Sequence, residues 1–286
     1  IIGAFQSLSS AGSAYTLLHH VMGQAGGARG VWGYVQGGMG RLAASLAAAC
    51  QDLNVEIYRE AEVCRILTTA GKVRGVALAD GRMLETSVVA STVDANLTFN
   101  RFLEEGDLPD HFRSAVRGID YSSASMKINV ALGEVPNFSC MPSSEIAPHH
   151  HGTIHISPTV DYIERAYADA VAGWPSTEPV LEITIPTSLD STIAPDGKHL
   201  MNVFVQYAPF NLADGKQWDD IKEDFADRCM AQIARYAPNV PAAVEQRQVL
   251  SPLDLERTFG LTGGNIMQGA MTPNQLFFMR PVAGWA

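Results

Sequence analysis

Seven residues, Met126-Lys127-Ile128-Asn129-Val130-Ala131-Leu132, alternate so regularly that they can bury only one side. Successive side chains of a strand point to opposite faces. Met126, Ile128, Val130 and Leu132 therefore share one face, and Lys127 and Asn129 share the other. The same spacing puts Glu182 and Thr184 on one face of the run 180–185. It also puts Asn202 and Gln206, with Phe204 between them, on one face of 199–207. Strands that align these faces make a sheet with an apolar side for a core and a polar-aromatic side. That second side is either a solvent-facing surface or a cavity wall carrying a few placed polar groups, as ligand sites do.

The remaining pattern predicts further strands over 54–58, 63–68, 73–79, 83–90, 153–156 and 244–250, with a turn at Asp80-Gly81. Helices are expected over 14–22, 41–50, 108–117, 160–172 and 218–236, the last closed by Pro238, and a helical start at 252–257. The fold class is α/β (α+β): a compact α/β unit with a β-meander, then a mixed β-sheet backed by helices. No internal repeat or low-complexity linker separates the two, so they are expected to share a substantial interface.

Composition narrows the function. The 286 residues are 47% hydrophobic and 17% charged, which suits a packed globular chain and excludes disorder. Acidic residues outnumber basic ones, 30 to 20, for a formal charge of −10, and no Lys/Arg cluster stands out. A nucleic-acid partner is excluded on that ground. Cys50, Cys64, Cys140 and Cys229 are too far apart in sequence for a zinc knuckle or redox pair, and are expected as reduced, mostly buried thiols. No apolar run is long enough to span a bilayer and no signal peptide opens the chain, which favours a soluble, cytoplasmic protein without an integral membrane segment. Neither the start at Ile1 nor the end at Ala286 reads as a natural terminus, and an interior portion of a longer chain is expected.

Glycines cluster from Gly23 to Gly40, which implies a tight, backbone-exposed passage. Gly38, Gly40 and Ala43 make a G-x-G-x-x-A pattern ahead of a helix, and Glu60 follows about twenty residues later, where an acid would bind a ribose. One reading is a nicotinamide dinucleotide site. The other is close approach of the backbone to a neighbouring domain or a flat ligand, because Gly33 and Gln36 interrupt the strand that should come first. His149, His150 and His151 are consecutive and cannot converge on one ion, so a solvated loop is expected and no metal. His155 falls on a strand face, and of His19 and His20 one can line a cavity.

Several stretches together resemble the phytoene-dehydrogenase-related branch of the FAD-dependent amine-oxidase-like superfamily. They are Ala14 to His20, Gly30 to Gly40, Ile185 to Asp190, Ala194 to His199, Phe259 to Ile266 and Gln275 to Pro281. The resemblance implies part of an FAD-binding domain of the glutathione-reductase/amine-oxidase type with a substrate domain inserted. It implies 1–36 as substrate-domain chain, 37–97 as the middle segment of the FAD-binding domain, 98–250 as the substrate domain, and 251–286 as the return toward the cofactor domain. It further implies that Gly37, Gly38 and Met39 pass close to the flavin ring, that Val63 meets the adenine through its backbone, and that Lys127 reaches flavin N5 through a water. The phosphate-binding fingerprint would lie upstream of Ile1, and a second glycine-rich stretch beyond Trp285.

The function so implied is an FAD-dependent dehydrogenase or oxidase that moves hydride from a small or lipid-like apolar molecule to the flavin. Lys127 would be its catalytic residue, and Asn129, Glu182, Asn202 and Gln206 would line the substrate space. Weak flavin retention is expected of this chain alone. Two alternatives stay open: a non-catalytic binding protein with the substrate-domain fold, and an NAD-dependent enzyme using Gly38, Gly40 and Ala43.

Overall fold

Strand pairing follows the apolar faces. The computed structural model describes residues 3–31, 33–122 and 125–285. Ile1, Ile2, Trp32, Ser123, Ala124, Ala286 and the side chain of His20 lie outside the described residues, so the placing of the His19-His20 pair extends to His19 alone, which is exposed. The elements begin with α1 (Ser13–Val21), the two-residue strands β1 (Gln24–Ala25) and β2 (Ala28–Arg29), and α2 (Gly40–Asp52). A meander follows in β3 (Val63–Thr69), β4 (Lys72–Leu78) and β5 (Met83–Glu85), and then α3 (Asp110–Arg117). The second half holds β6 (Ser125–Leu132), β7 (Ile154–Ile156), α4 (Val160–Val171), β8 (Leu181–Thr184) and β9 (His199–Gln206). It closes with α5 (Trp218–Ala234), α6 (Val240–Ala243), β10 (Val244–Leu250) and α7 (Pro252–Phe259).

Five strands form one sheet in the order β10-β6-β9-β8-β7. The expected mixed sheet is corrected here, because every neighbouring pair is antiparallel. Parallel strands need both faces covered by crossover helices, whereas these strands bury one face and leave the other polar. On the buried face Met126, Ile128, Val130 and Leu132 meet Leu181, Ile183, Met201, Val203 and Val205. Trp218, Phe225, Cys229 and Ile233 of α5 cover them. Each such side chain, fully removed from water, contributes about 1.5–3 kcal/mol. At the rim Arg247 of β10 bridges Glu223 and Asp227 of α5 at 2.8 and 2.5 Å.

The region before the sheet is built differently. No residue of α2 is buried. The expected strand 54–58 is absent: the backbone has no ladder partner among the described residues, and Val55, Ile57 and Tyr58 are about half exposed. Alternation marks a preference for extension, but a strand needs a neighbour to satisfy its N–H and C=O groups. The meander does form, in the order β3-β4-β5, although β5 stops at Glu85 rather than 90. Gly75 is required there, since a Cβ would lie 2.1 Å from the Leu84 carbonyl oxygen.

Two further expectations change. All four cysteines are free, but Cys64 and Cys140 are exposed, Cys50 is half-buried and only Cys229 is buried. His150 is fully buried rather than solvated. Its Nδ1 accepts from the Ala147 N–H at 3.0 Å and its Nε2–H donates to the Pro136 carbonyl at 2.9 Å, so two local backbone groups draw the ring inside. Burial pushes its pKa below the ordinary value.

Candidate functional site

The polar face of the sheet is the floor of a cleft of about 780 Å³. Strand register sets Lys127 opposite Phe204 and Phe204 opposite Glu182, with Asn202 opposite Thr184 one row on. These five residues all line the cleft. The glycine-rich passage supplies one wall through Tyr34, Val35, Gly37, Gly38 and Met39. The β8–β9 connection supplies another through Pro186, Asp190, Thr192 and Ile193.

The glycine turn is held in place. Gly37 and Gly38 have φ of 80° and 87°, a backbone region that side chains disfavour. The Gly38 N–H bonds the Val35 carbonyl at 2.9 Å. The Gly37 N–H donates to Asp190 Oδ2 at 2.6 Å, across 153 residues of chain. Asp190 Oδ1 accepts from the hydroxyl and the N–H of Thr192 at 2.6 and 3.0 Å. Bonds from the Thr192 hydroxyl and the Gly37 N–H hold the Asp190 carboxyl below its usual range.

Ile266 and Met267 complete the cleft from the chain after α7. That helix opens on a capping box, in which Ser251 Oγ accepts from the Asp254 N–H and Asp254 Oδ2 from the Ser251 N–H. It ends at the left-handed Gly260. Asn265 Oδ1 then accepts from the Met267 N–H at 2.9 Å, and Arg280 Nη1 donates to the Met267 carbonyl at 3.0 Å. The Met267 backbone is thus pinned on both sides.

Burial pushes the Lys127 ammonium below its usual pKa, and the Glu182 carboxylate partly opposes that shift. Glu182 Oε2 is buried with no hydrogen-bond partner among the described residues, the Lys127 ammonium included.

The structure therefore brings together Lys127, Gly37, Gly38, Met39, Glu182 and Asn202, from strands and a turn remote in sequence. Three expected site residues lie elsewhere. Asn129 turns to β10, where its Nδ2 donates to Gln248 Oε1 at 3.0 Å. Gln206 is sealed under the N-terminal segment, its Oε1 accepting from the Gly3 N–H at 2.8 Å. Val63 opens the meander opposite Leu78 and is not among the residues lining the cleft. Asp190, Thr192, Ile193 and Met267 were not singled out in the sequence. Asp190 and Ile266 do end two of the resembling stretches, which is the one signal that pointed toward this wall.

The nicotinamide-dinucleotide pattern is not assembled. Among the described residues no strand longer than the two-residue β2 precedes Gly38, no residue of α2 is buried, and Glu60 sits exposed at a bend with φ of 53°. A flat ring suits the turn better, since a Cβ on Gly38 would meet only Ile193, at 3.8 Å, and the backbone otherwise faces open space. The turn leaves room at Gly38 for a flat ring, and the described residues offer no strand–turn–helix cradle for a dinucleotide's phosphates. They also hold no group of three or more His, Cys, Asp or Glu placed for a metal ion.

The fold recurs in an oxidoreductase of Methanosarcina mazei, with a TM-score of 0.52 at 20% identity over 76% of this chain and 43% of that one. In sequence the chain is 41% identical to the pyridine nucleotide-disulfide oxidoreductase domain-containing protein 2 of Rattus norvegicus, over 99% of its own length. It is also similar to the chloroplastic prolycopene isomerase of Arabidopsis thaliana, at 26% identity over 77% of this chain and 34% of that protein. The chain spans about half the length of the rat relative, 50% of it. No protein-family model matches the chain. Its homologues are thus oxidoreductase-domain proteins and a prolycopene isomerase.

Proposed function

We propose that this chain forms the ring-facing wall and the substrate cleft of an FAD-dependent oxidoreductase of the amine-oxidase-like superfamily, acting on a small or lipid-like apolar molecule. The observation that carries the proposal is the convergence of Lys127 and the Gly37-Gly38-Met39 turn on one cleft walled by Phe204, Ile193, Ile266 and Met267. The oxidoreductase homologues support the reaction class, and the similarity to a prolycopene isomerase of Arabidopsis supports a lipid-like molecule. A flavin bound here supplies hydride acceptance at N5. Gly37 and Gly38 let the backbone approach a flat ring, and the Asp190 bond fixes that approach. Lys127, held where burial weakens its hold on a proton, orients a water at the floor. The apolar walls exclude bulk water from the substrate.

In the same proposal the segments that grip the phosphates, and the adenine contact assigned to Val63, belong to a cofactor domain completed by residues outside these 286, in keeping with the half-length match. Fluorescence titration of the chain with lumiflavin and with FAD tests this. The two are expected to bind within about ten-fold of each other, and Gly38→Val to weaken both by about ten-fold or more. FAD binding more than about a hundred-fold tighter than lumiflavin would reveal a phosphate site within this chain. No binding of either flavin would remove the ring site as well.

A further inference from the structure

Glu182 is the one ionisable group on the cleft floor for which the flavin leaves no task. Its side chain is nine-tenths buried, at 9% exposure, and Oε2 is sealed with no hydrogen-bond partner among the described residues. Register places it two strands from Lys127 with Phe204 between, roughly 10 Å by strand spacing. Leaving a buried acceptor unpaired forfeits its hydration without replacement, and the loss is greater for a charged one. Buried polar atoms in native proteins are almost always paired. Oε2 itself is closed off, so a ligand donor in the cleft reaches this carboxylate through the other oxygen, Oε1, which is neither sealed nor bonded among the described residues.

The chemistry of that ligand follows from what surrounds the carboxylate. An ionised carboxylate only accepts hydrogen bonds, so the ligand group must donate. Asp190, the other carboxylate of the cleft, already accepts three bonds from Gly37 and Thr192, so it is not left without a donor. With two carboxylates against Lys127, an anionic head is repelled from this end of the cleft. Phe204, Ile193 and Met267 leave an apolar path for the rest of the molecule.

We infer that Glu182 docks the head of the substrate, and that the substrate is an apolar chain or ring bearing one O–H or N–H donor, a hydroxyl or an ammonium. The inference rests on the cleft being the substrate site of the proposed enzyme. A pure hydrocarbon would leave Glu182 unpaired.

Calorimetric titration of the full chain with four octyl compounds tests it without any redox readout. The compounds are 1-octanol, octylammonium, octyltrimethylammonium and 1-methoxyoctane. Octanol or octylammonium, or both, should bind at least about ten-fold tighter than methoxyoctane, which has no donor. Whichever of the two is tighter identifies the head. In Glu182→Leu the advantage should vanish. Glu182→Gln keeps an acceptor oxygen and should retain octanol binding while losing the preference for ammonium. The wild-type series decides the matter even where Glu182→Leu does not fold. Octyltrimethylammonium binding as tightly as octylammonium, with octanol no tighter than methoxyoctane, would mean attraction by charge alone and overturn the hydrogen-bonding role. Equal affinity for all four heads would overturn the role of Glu182 and leave the apolar cleft standing. Failure of every compound to bind would overturn both.

Discussion

The five-stranded sheet and the α2 region place their apolar residues in opposite ways. In the sheet Ile128, Leu132, Ile183 and Met201 are fully covered, with α5 laid over them. In α2 and the residues after it, Leu42, Leu46, Leu53, Val55 and Ile57 are all exposed, Leu53 at 76%. Both regions are rich in apolar residues. The difference is that the sheet carries its own covering layer within the chain, while α2 has none among the described residues. Stability therefore resides in 125–250, and the α2 region contributes mainly the glycine turn that precedes it.

That contrast breaks most readily in the core. Phe225→Ala should lower the free energy of urea unfolding by about 3–5 kcal/mol, the range for emptying a buried aromatic site. A loss below about 1 kcal/mol would mean that α5 does not hold the sheet.

His150 tests the same region from its edge. Its replacement by Leu strands the partly buried Ala147 N–H and the buried Pro136 carbonyl, at a cost of about 1–3 kcal/mol. The sign of the pH dependence is also fixed. Burial lowers the folded pKa below the ordinary 6.5, so the unfolded chain takes up the proton first as pH falls. Stability is complete above about pH 7 and declines as pH drops through 6.5 toward the folded value. His199, lowered by burial too, acts in the same direction, while His149 and His151 nearby oppose protonation of His150. Urea midpoints at pH 7.5 and pH 5 should therefore differ in the wild type and differ less in His150→Leu. A wild-type midpoint that rises on acidification would contradict the buried neutral ring.

The smallest effect belongs to α2. Leu46→Ser should change the unfolding free energy by no more than about 0.5 kcal/mol, as expected of an exposed position. A loss above about 1 kcal/mol would show that α2 is packed after all, and would bring the two regions level.

What could be read from the sequence, and what could not, follows the same division. Period-two alternation located β6 and β9 to within a residue and set Lys127, Glu182 and Asn202 on the face that became the cleft floor. Local alternation decides the direction of a side chain, so this much needed no tertiary knowledge. The same signal misled at Val55 and Ile57, because pairing depends on a neighbour that alternation cannot supply. Gln206 has the right direction as well, but Gly3, at the far end of the chain, covers it. Asp190 sits in a connection without periodicity, and its bond to Gly37 has no local signature. His150 looked like one of three equivalent loop histidines until two backbone groups distinguished it.

The bond between Gly37 and Asp190 also orders events during synthesis. The glycine turn emerges 153 residues before the carboxylate that fixes it. At the pace of a ribosome that interval is roughly 8–30 s. Throughout it β6 also lacks β9, and Ile266 and Met267 come later still. A ligand held by both walls therefore finds no binding site on the growing chain. It can be captured only once translation has passed Met267, so such a ligand acts on the finished cleft and cannot template its formation.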